Sequence, residues 1–448
     1  MRVLIMGAAG RDYHDFCTAF RGREDVEVVA FTHAPGQNLG ELGSADRRFP
    51  SELAGEGYPE GIPIEPEAEL EELIRTEDVD QVVFSYSDVS HEQVMHAGSR
   101  AVAAGADFRL VGPDAMQLEA GVPVLAVDAV RTGCGKSQAA GAFADALDSR
   151  GFAVRLVREP MPYGDLVENR VRRFASHDDL DAAGVTIEER EEYEQHIDAG
   201  RVVFAGVDYA AVLDAAEAEA DAIVWDGGNN ELSFVRPDLH VVLADPLRAG
   251  DEVRYHPGET NLRRADCVIL NKENSADEAD IETVLENVRA VNPDAEMHHA
   301  DSVVTVDDSE PIEDARVLAV EDGPILTHGD ASHGAATVAA ERYGAAERVD
   351  PSEAAVGTIA GTLAEYPHLD RVLPAMGYSD EQIRDLEETI ASVDCDLVLA
   401  GTPHDLARRV DVDAPILDVT YSIDLHGGSF DDLLDRYDDR LGLSQAQN

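Results

Sequence analysis

The chain has 448 residues, 44% of them apolar and 28% charged, with 91 acids against 35 lysines and arginines and a formal net charge of -56. That length predicts roughly three domains of about 150 residues each, and the acid excess argues against nucleic acid, whose phosphates are held by basic surfaces. No run approaches the roughly 18 to 20 uninterrupted apolar residues of a membrane span, and Cys17, Cys134, Cys267 and Cys395 form no CxxC pair. Neither a membrane, a disulfide framework nor a zinc site is expected.

The start MRVLIMGAAGRDYHDF enters a strand pattern directly, without the layout of a signal peptide, which predicts a cytoplasmic protein. Acids are spread along the whole chain, and lysine occurs only at Lys136 and Lys272. An acid surplus with arginine as almost the only base reads as halophilic: at about 1 M salt a Debye length of about 3 Å screens the self-repulsion. A surface under pressure to shed lysine retains it where an ammonium is chemically irreplaceable. The two lysines therefore mark sites.

Residues 1–118 alternate strand and helix signals, with RVLIMG, VEVVAFT, DQVVFSYSD and DFRLVG as short apolar or β-branched runs. They predict a Rossmann-like domain. Its first loop, Gly7-Ala8-Ala9-Gly10-Arg11-Asp12, resembles a dinucleotide fingerprint, but Asp12 takes the place of the third glycine and no acid ends the second strand. A domain without NAD is the expectation, with a different phosphate near Arg11 and His14 as the alternative. The cluster from Ser85 to His91 follows a strand too, as a ligand site or as a helix cap through Ser90 or Asp88.

Residues 119–310 open with the apolar run Val122 to Val127 and then AVRTGCGKSQ. Gly135-Lys136-Ser137 matches the end of the phosphate loop GxxxxGK[ST], although Val130 stands where its first glycine belongs. Gly133 and Gly135 still permit the tight path that turns successive N–H groups inward. Arg131, Thr132, Gly133, Cys134, Gly135, Lys136, Ser137 and Gln138 are expected to hold the phosphates of ATP or GTP. Within that set Lys136 is the catalytic cation, and the Ser137 hydroxyl a ligand of Mg²⁺.

After the next strand, Arg158 and Asp165 flank a switch-like segment and are candidates to neutralise developing charge and to orient the attacking group. The run AIVWDGG reads as a strand ending in the metal-binding acid Asp226, with Gly227 admitting backbone close to the γ-phosphate. The run CVILNKEN resembles the NKxD base-recognition loop, giving Asn271, Lys272 and Asn274 as base contacts. An amide at position 274 cannot accept two hydrogen bonds as a carboxylate does, so the preference for GTP is weakened. The whole segment predicts a P-loop NTPase domain with a mostly parallel sheet. Residues 311–448 predict a C-terminal α/β domain through RVLAVEDGP and DLVLAGTP, where Glu321, Asp322, Thr327, His328 and His333 raise a weaker metal or phosphate site.

The strings GAAGRDYHDF, FSYSDVSHE, AVRTGCGKSQ, PMPYGDL, WDGGNNE, HPGETNLRRAD and VEDGPILTHG resemble the cyclic 2,3-diphosphoglycerate synthetase-like family, whose members are often labelled predicted GTPases. The resemblance implies an NTP-driven closure of 2,3-diphosphoglycerate into an internal phosphoanhydride. Such a substrate needs a second basic pocket, for which Arg11, Arg158, Arg248, Arg263 and Arg264 are the candidates. The partner expected is this small phosphorylated substrate, with a homodimer as a further expectation. The alternative reading is a regulatory or metallocentre-assembly GTPase, in which hydrolysis switches a conformation and makes no product.

Overall fold

The computed structural model describes residues 1–34, 47–159, 164–228, 230–306, 308–323, 326, 332–369, 371–375, 380–402 and 406–442. The chain divides into two compact units, one of Met1–Ala175, Arg201–Ala300 and Leu425–Asn448, the other of Ser176–Gly200 and Asp301–Asp424. No helix among the described residues is long and apolar enough to cross a membrane.

The first unit holds two α/β sheets. The N-terminal one runs in the order Arg48–Phe49, Ile62–Pro66, Glu27–His33, Arg2–Met6, Gln81–Phe84, Asp107–Leu110. Its pairs are parallel except the first, and its central strands read as continuous apolar runs because helices cover both faces. The second sheet runs in the order Arg172–Phe174, Val203–Ala205, Val154–Arg158, Ala222–Asp226, Val124–Ala129, Leu239–Ala244, Cys267–Leu270, and then the start of Glu296–Val306. Only its first pair is antiparallel.

Strand Val124–Ala129, buried throughout, lies between Ala222–Asp226 and Leu239–Ala244 and feeds helix Lys136–Ser149. That helix buries Ala139, Ala140, Phe143, Ala144 and Leu147, the spacing of one apolar stripe. Its far end is fixed by Phe143 against Phe430 and by Arg150 bridging Asp431, Asp435 and Asp438.

The boundary expected at 118/119 falls inside this unit. One apolar cluster runs from Phe16, Phe31 and Phe49 of the N-terminal part to Trp225 and Phe234 of the nucleotide-binding part. His14 stacks on Phe234 with ring centroids 4.0 Å apart, and the short strand Val89–Ser90 pairs antiparallel with Tyr255–His256. Shared burial makes one core of what the order of strand and helix signals separates.

The second unit has its own parallel sheet, in which Arg316–Asp322 pairs with Glu347–Arg348, Leu373–Ala375 and Leu397–Gly401, and the last of these with Ile416–Leu425. Apolar clusters cover both faces, one around Val317, Leu399 and Ala339, the other around Leu318, Ile359 and Ile390. Residues 176–200, including helix Ile187–Asp198, belong to this unit although they interrupt the nucleotide-binding segment in sequence.

Candidate active site

The turn from strand Val124–Ala129 into helix Lys136–Ser149 is built on two left-handed glycines, Gly133 at φ 83° and Gly135 at φ 102°. Val130 does not turn. Its N–H still donates to the Leu243 carbonyl at 2.9 Å, extending the ladder. The missing side chain is required on the facing segment instead, since a Cβ on Gly258 would lie 2.0 Å from the Val130 carbonyl oxygen.

Lys136 is 6% exposed and forms no salt bridge among the described residues. Burial pushes its pKa down, partly offset by the Cys134, Asp88 and Asp226 charges. An ammonium removed from water without a carboxylate beside it is costly unless an anion arrives. It stands at the positive end of its helix, where phosphate is favoured. Gln138 lies half-buried in the same first turn.

Asp226 ends its strand, fully buried, in register with Arg158 on one side and Val127 on the other. Its carboxylate lies 3.5 Å from the Ser137 hydroxyl and pairs with the Arg158 guanidinium, which also donates to Ser137 Oγ at 2.9 Å. A cation thus already sits on the two oxygens that the sequence assigns to Mg²⁺. This hard oxygen pair fits that metal, which takes few protein ligands and fills its shell with phosphate and water. Gly227 is needed here, as a Cβ would meet Asp128 Oδ1 at 2.4 Å.

The other side of the loop is braced by the second lysine. Asn271 donates to the Cys134 carbonyl at 2.9 Å, while Lys272, itself left-handed at φ 63°, donates to the Gly133 carbonyl at 2.7 Å and to Asp245 at 3.0 Å. Arg248 donates to the Thr132 carbonyl at 2.7 Å and to Asp245 at 3.2 Å. Cys134 is buried, and burial raises its thiol. Asn274 lies exposed in the turn Glu273–Ser275. Arg131 points the other way, pairing with Asp88 at 2.9 Å and with Asp251, and covering the Tyr255 ring at 3.6 Å.

Of the remaining candidates, Asp165 is exposed and its carboxylate caps a turn, accepting from the N–H groups of Val167 at 2.8 Å and Glu168 at 3.1 Å. No contact ties it to the phosphate loop among the described residues, and residues 160–163 lie outside them. The anion slot after the first strand is closed by the chain itself: Asp12 accepts from Ala9 N at 2.9 Å, Gly10 N at 3.3 Å and Tyr13 N at 2.8 Å. The acid that spoils the dinucleotide fingerprint thus occupies the place of the phosphate. Ser90 caps helix His91–Ala104 in a capping box with Gln93. Glu321 caps helix Ala335–Arg342 through the N–H groups of Ala336 and Thr337. Thr327 and His328 lie outside the described residues.

Two clusters escape the sequence. Asp128, an acid inside an apolar strand, is fully buried, holds His240 Nε2 at 2.8 Å and accepts from Trp225 Nε1 at 3.2 Å. The second gathers Arg11, Asp12, Asp15, Glu159 and Glu231, all at most 5% exposed. Arg11 faces Asp15 at 3.7 Å and Glu231 at 3.8 Å; Ser85 donates to Asp15 at 2.8 Å and Ser87 to Glu231. Burial dominates the titration, raising Asp12 to about 6, Glu231 to about 8 and Glu159 well above its ordinary range, the last also through repulsion by Glu231.

These acids stabilise the fold while protonated, and that contribution is lost as pH rises through about 8 for Glu231. The melting temperature in concentrated KCl is expected to fall as pH rises from the ordinary carboxylate range towards about 8, where Glu231 titrates in the folded protein, and to level off above it. Glu231→Gln flattens that fall. An equally steep profile in the variant rules out a titrating Glu231.

No family model matches the chain. It is 53% identical over 423 residues, 94% of its own length and 93% of the relative's, to arginine synthetase ArcE of Thermococcus kodakarensis. Among solved structures, LpxK from Aquifex aeolicus in complex with ATP aligns at a TM-score of 0.39 and 14% identity, over 72% of this chain and 90% of that one. Cobyrinic acid a,c-diamide synthase from Mycobacterium smegmatis, with an ATP analog and magnesium, aligns at 0.18 and 20% identity, over 40% of this chain and 72% of that one.

Proposed function

We infer function from one premise: this chain belongs to the family of arginine synthetase ArcE. We propose that it is an NTP-dependent synthetase that forms arginine. The observation that carries the nucleotide half is Lys136, a buried ammonium with no salt bridge among the described residues, set at a helix N-terminus next to Ser137, whose hydroxyl lies 3.5 Å from Asp226.

A guanidinium differs from a ureido group by one nitrogen in place of oxygen. Hydroxide is a poor leaving group, so the oxygen must be activated. Transfer of the γ-phosphoryl to the ureido oxygen releases the nucleoside diphosphate; ammonia then attacks the carbon, and inorganic phosphate leaves with the oxygen. In this scheme Lys136 and the inward N–H groups of residues 133–137 hold the phosphates, and Arg158 steadies charge on the transferring group. Ser137 and Asp226 would hold Mg²⁺, which supplies neutralisation of the phosphate oxygens when bound. Asn271, Lys272, Asp245 and Arg248 keep the loop in shape.

The purified protein, given MgATP or MgGTP, citrulline and ammonium in concentrated KCl, is expected to release arginine in step with phosphate, read by mass spectrometry. Phosphate without arginine overturns the proposal in favour of a regulatory GTPase. An acid-labile cyclic product from 2,3-diphosphoglycerate would favour the synthetase that the sequence resembles. Against that substrate stands the make-up of the surroundings: two phosphates of roughly -2 each would lie among the buried acidic side chains Asp12, Asp15, Glu159 and Glu231, with Arg11 as the base beside them. Of the arginines proposed for it, Arg248 pairs with Asp245, Arg263 with Glu259, and Arg264 contacts Gln117.

Base choice is proposed to lie with the Asn271–Lys272 loop. Asn274→Asp is expected to raise the preference for GTP over ATP by roughly tenfold, the value of one added charge-assisted hydrogen bond. Competition of the two nucleotides for a fluorescent analogue measures it, and an unchanged ratio places the base elsewhere.

A further inference from the structure

The Arg11 cluster combines full burial with unmade hydrogen bonds. Arg11 is 1% exposed, yet among the described residues its Nε–H has no hydrogen-bond partner. The same is true of Asp15 Oδ1, Glu159 Oε2 and Glu231 Oε2. Buried polar groups in a folded protein are nearly all satisfied, so four orphans of complementary charge in one cluster call for an occupant. The ion pairs of Arg11, at 3.7 and 3.8 Å, compensate charge without completing hydrogen bonds.

Position ties the cluster to the chemistry. Glu159 follows Arg158, Glu231 follows Asp226 by five residues, and Arg11 opens the helix after the first strand of the N-terminal sheet. The cluster lies at the carboxyl ends of strands of both sheets, where open α/β sheets bind ligands. His256, which touches Arg11 Nη1 at 3.4 Å, also lines a cavity of about 320 Å³ shared with His91, Leu110, Glu259 and Arg263. One side chain separates the cluster from open space.

We propose that this cluster is the acceptor site and takes the zwitterionic head of an α-amino acid, its carboxylate on the Arg11 guanidinium and its ammonium on Glu231 and Glu159. A phosphorylated ligand does not fit a set with four acidic side chains and one base. A divalent cation finds no ligand set, since no group of three metal-ligating side chains is found among the described residues. A zwitterion supplies one acceptor group and one donor group together, matching what the cluster lacks. The assignment rests on the arginine-forming reading for the identity of the amino acid, but not for the head-group chemistry.

Calorimetric titration of the full chain in concentrated KCl tests it with four probes: arginine, agmatine, 5-guanidinopentanoate and ammonium chloride. Agmatine lacks the carboxylate and 5-guanidinopentanoate lacks the ammonium. Arginine is expected to bind, and each truncated analogue roughly 100-fold more weakly. Arg11→Lys weakens arginine but not agmatine; Glu231→Gln weakens arginine but not 5-guanidinopentanoate. Unchanged MgATP affinity in both variants shows that they are folded. The analogue series on the unaltered protein needs no variant at all.

Equal binding of arginine and agmatine, or no binding of arginine, overturns the site. Displacement of arginine and both analogues alike by ammonium chloride overturns it in favour of a pocket for free ammonium. A protein that makes arginine without head-group dependence keeps the function and loses this site. One that binds arginine through Arg11 and Glu231 yet makes none keeps the site and loses the function.

Discussion

Lys136→Met is expected to lower nucleotide-dependent product formation by roughly 10³-fold, the loss of one preorganised charge at a reacting phosphate, while the ligand-free protein melts no lower than the parent. The two effects have opposite signs for one reason. The ammonium is buried and, among the described residues, has no salt bridge, so in the absence of phosphate it strains the fold. Methionine keeps the stem and removes the charge. Single-turnover phosphate release and thermal melting measure the pair. Normal turnover in the variant sinks the phosphate-loop assignment, and a large loss of stability would show that Lys136 is held by the fold and not awaiting a ligand.

Arg158→Ala is expected to cut the maximal rate by roughly 10²- to 10³-fold and, at the same time, to lower the Mg²⁺ concentration needed for half-maximal rate. Arg158 pairs with Asp226 and donates to Ser137. Its guanidinium therefore competes for the oxygens assigned to the metal, and alanine removes the competitor. The freed carboxylate is left buried, which strengthens its demand for a cation. Titration of Mg²⁺ at saturating nucleotide separates the two effects. A half-saturation point that rises in the variant would mean that Arg158 helps to hold the metal site and does not stand in for its occupant.

The phosphate loop was legible because its chemistry is local. Glycines at positive φ, a lysine and a hydroxyl fall within five residues, and the scarcity of lysine singles them out. Asp226 was legible as an acid closing an apolar strand. Lys272 was read for the base alone, and its second duty, bracing Gly133, depends on a contact 139 residues away in sequence. Arg158 and Asp165 flank one segment and read alike in the sequence, but register beside Asp226 places the first while a turn of its own consumes the second. The Arg11 cluster was out of reach. Arg11 looked like a phosphate ligand because the loop before it resembles a fingerprint, and nothing local tells of Glu231, 220 positions later. Residues 176–200 carry no apolar signature strong enough to assign them to the second unit. The dividing line between the two sheets of the first unit rests on the order of strand and helix signals, which does not show that Phe234 packs on His14.

Asp88, held left-handed at φ 52°, accepts from Arg131 Nε at 2.9 Å and Thr132 N at 3.3 Å in the phosphate loop, and from Asn230 Nδ2 at 3.4 Å, next to Glu231. One carboxylate thus belongs to the surroundings of both ligands. If filling the loop moves Asp88, the shift reaches Asn230 beside the proposed acceptor cluster, and occupancy on one side would then change affinity on the other. Linkage of this kind is reciprocal: whatever factor the nucleotide applies to the amino acid, the amino acid returns to the nucleotide. Through Asp88, which follows the strand Gln81–Phe84, the N-terminal sheet is thus tied by hydrogen bonds to the phosphate loop and to Asn230.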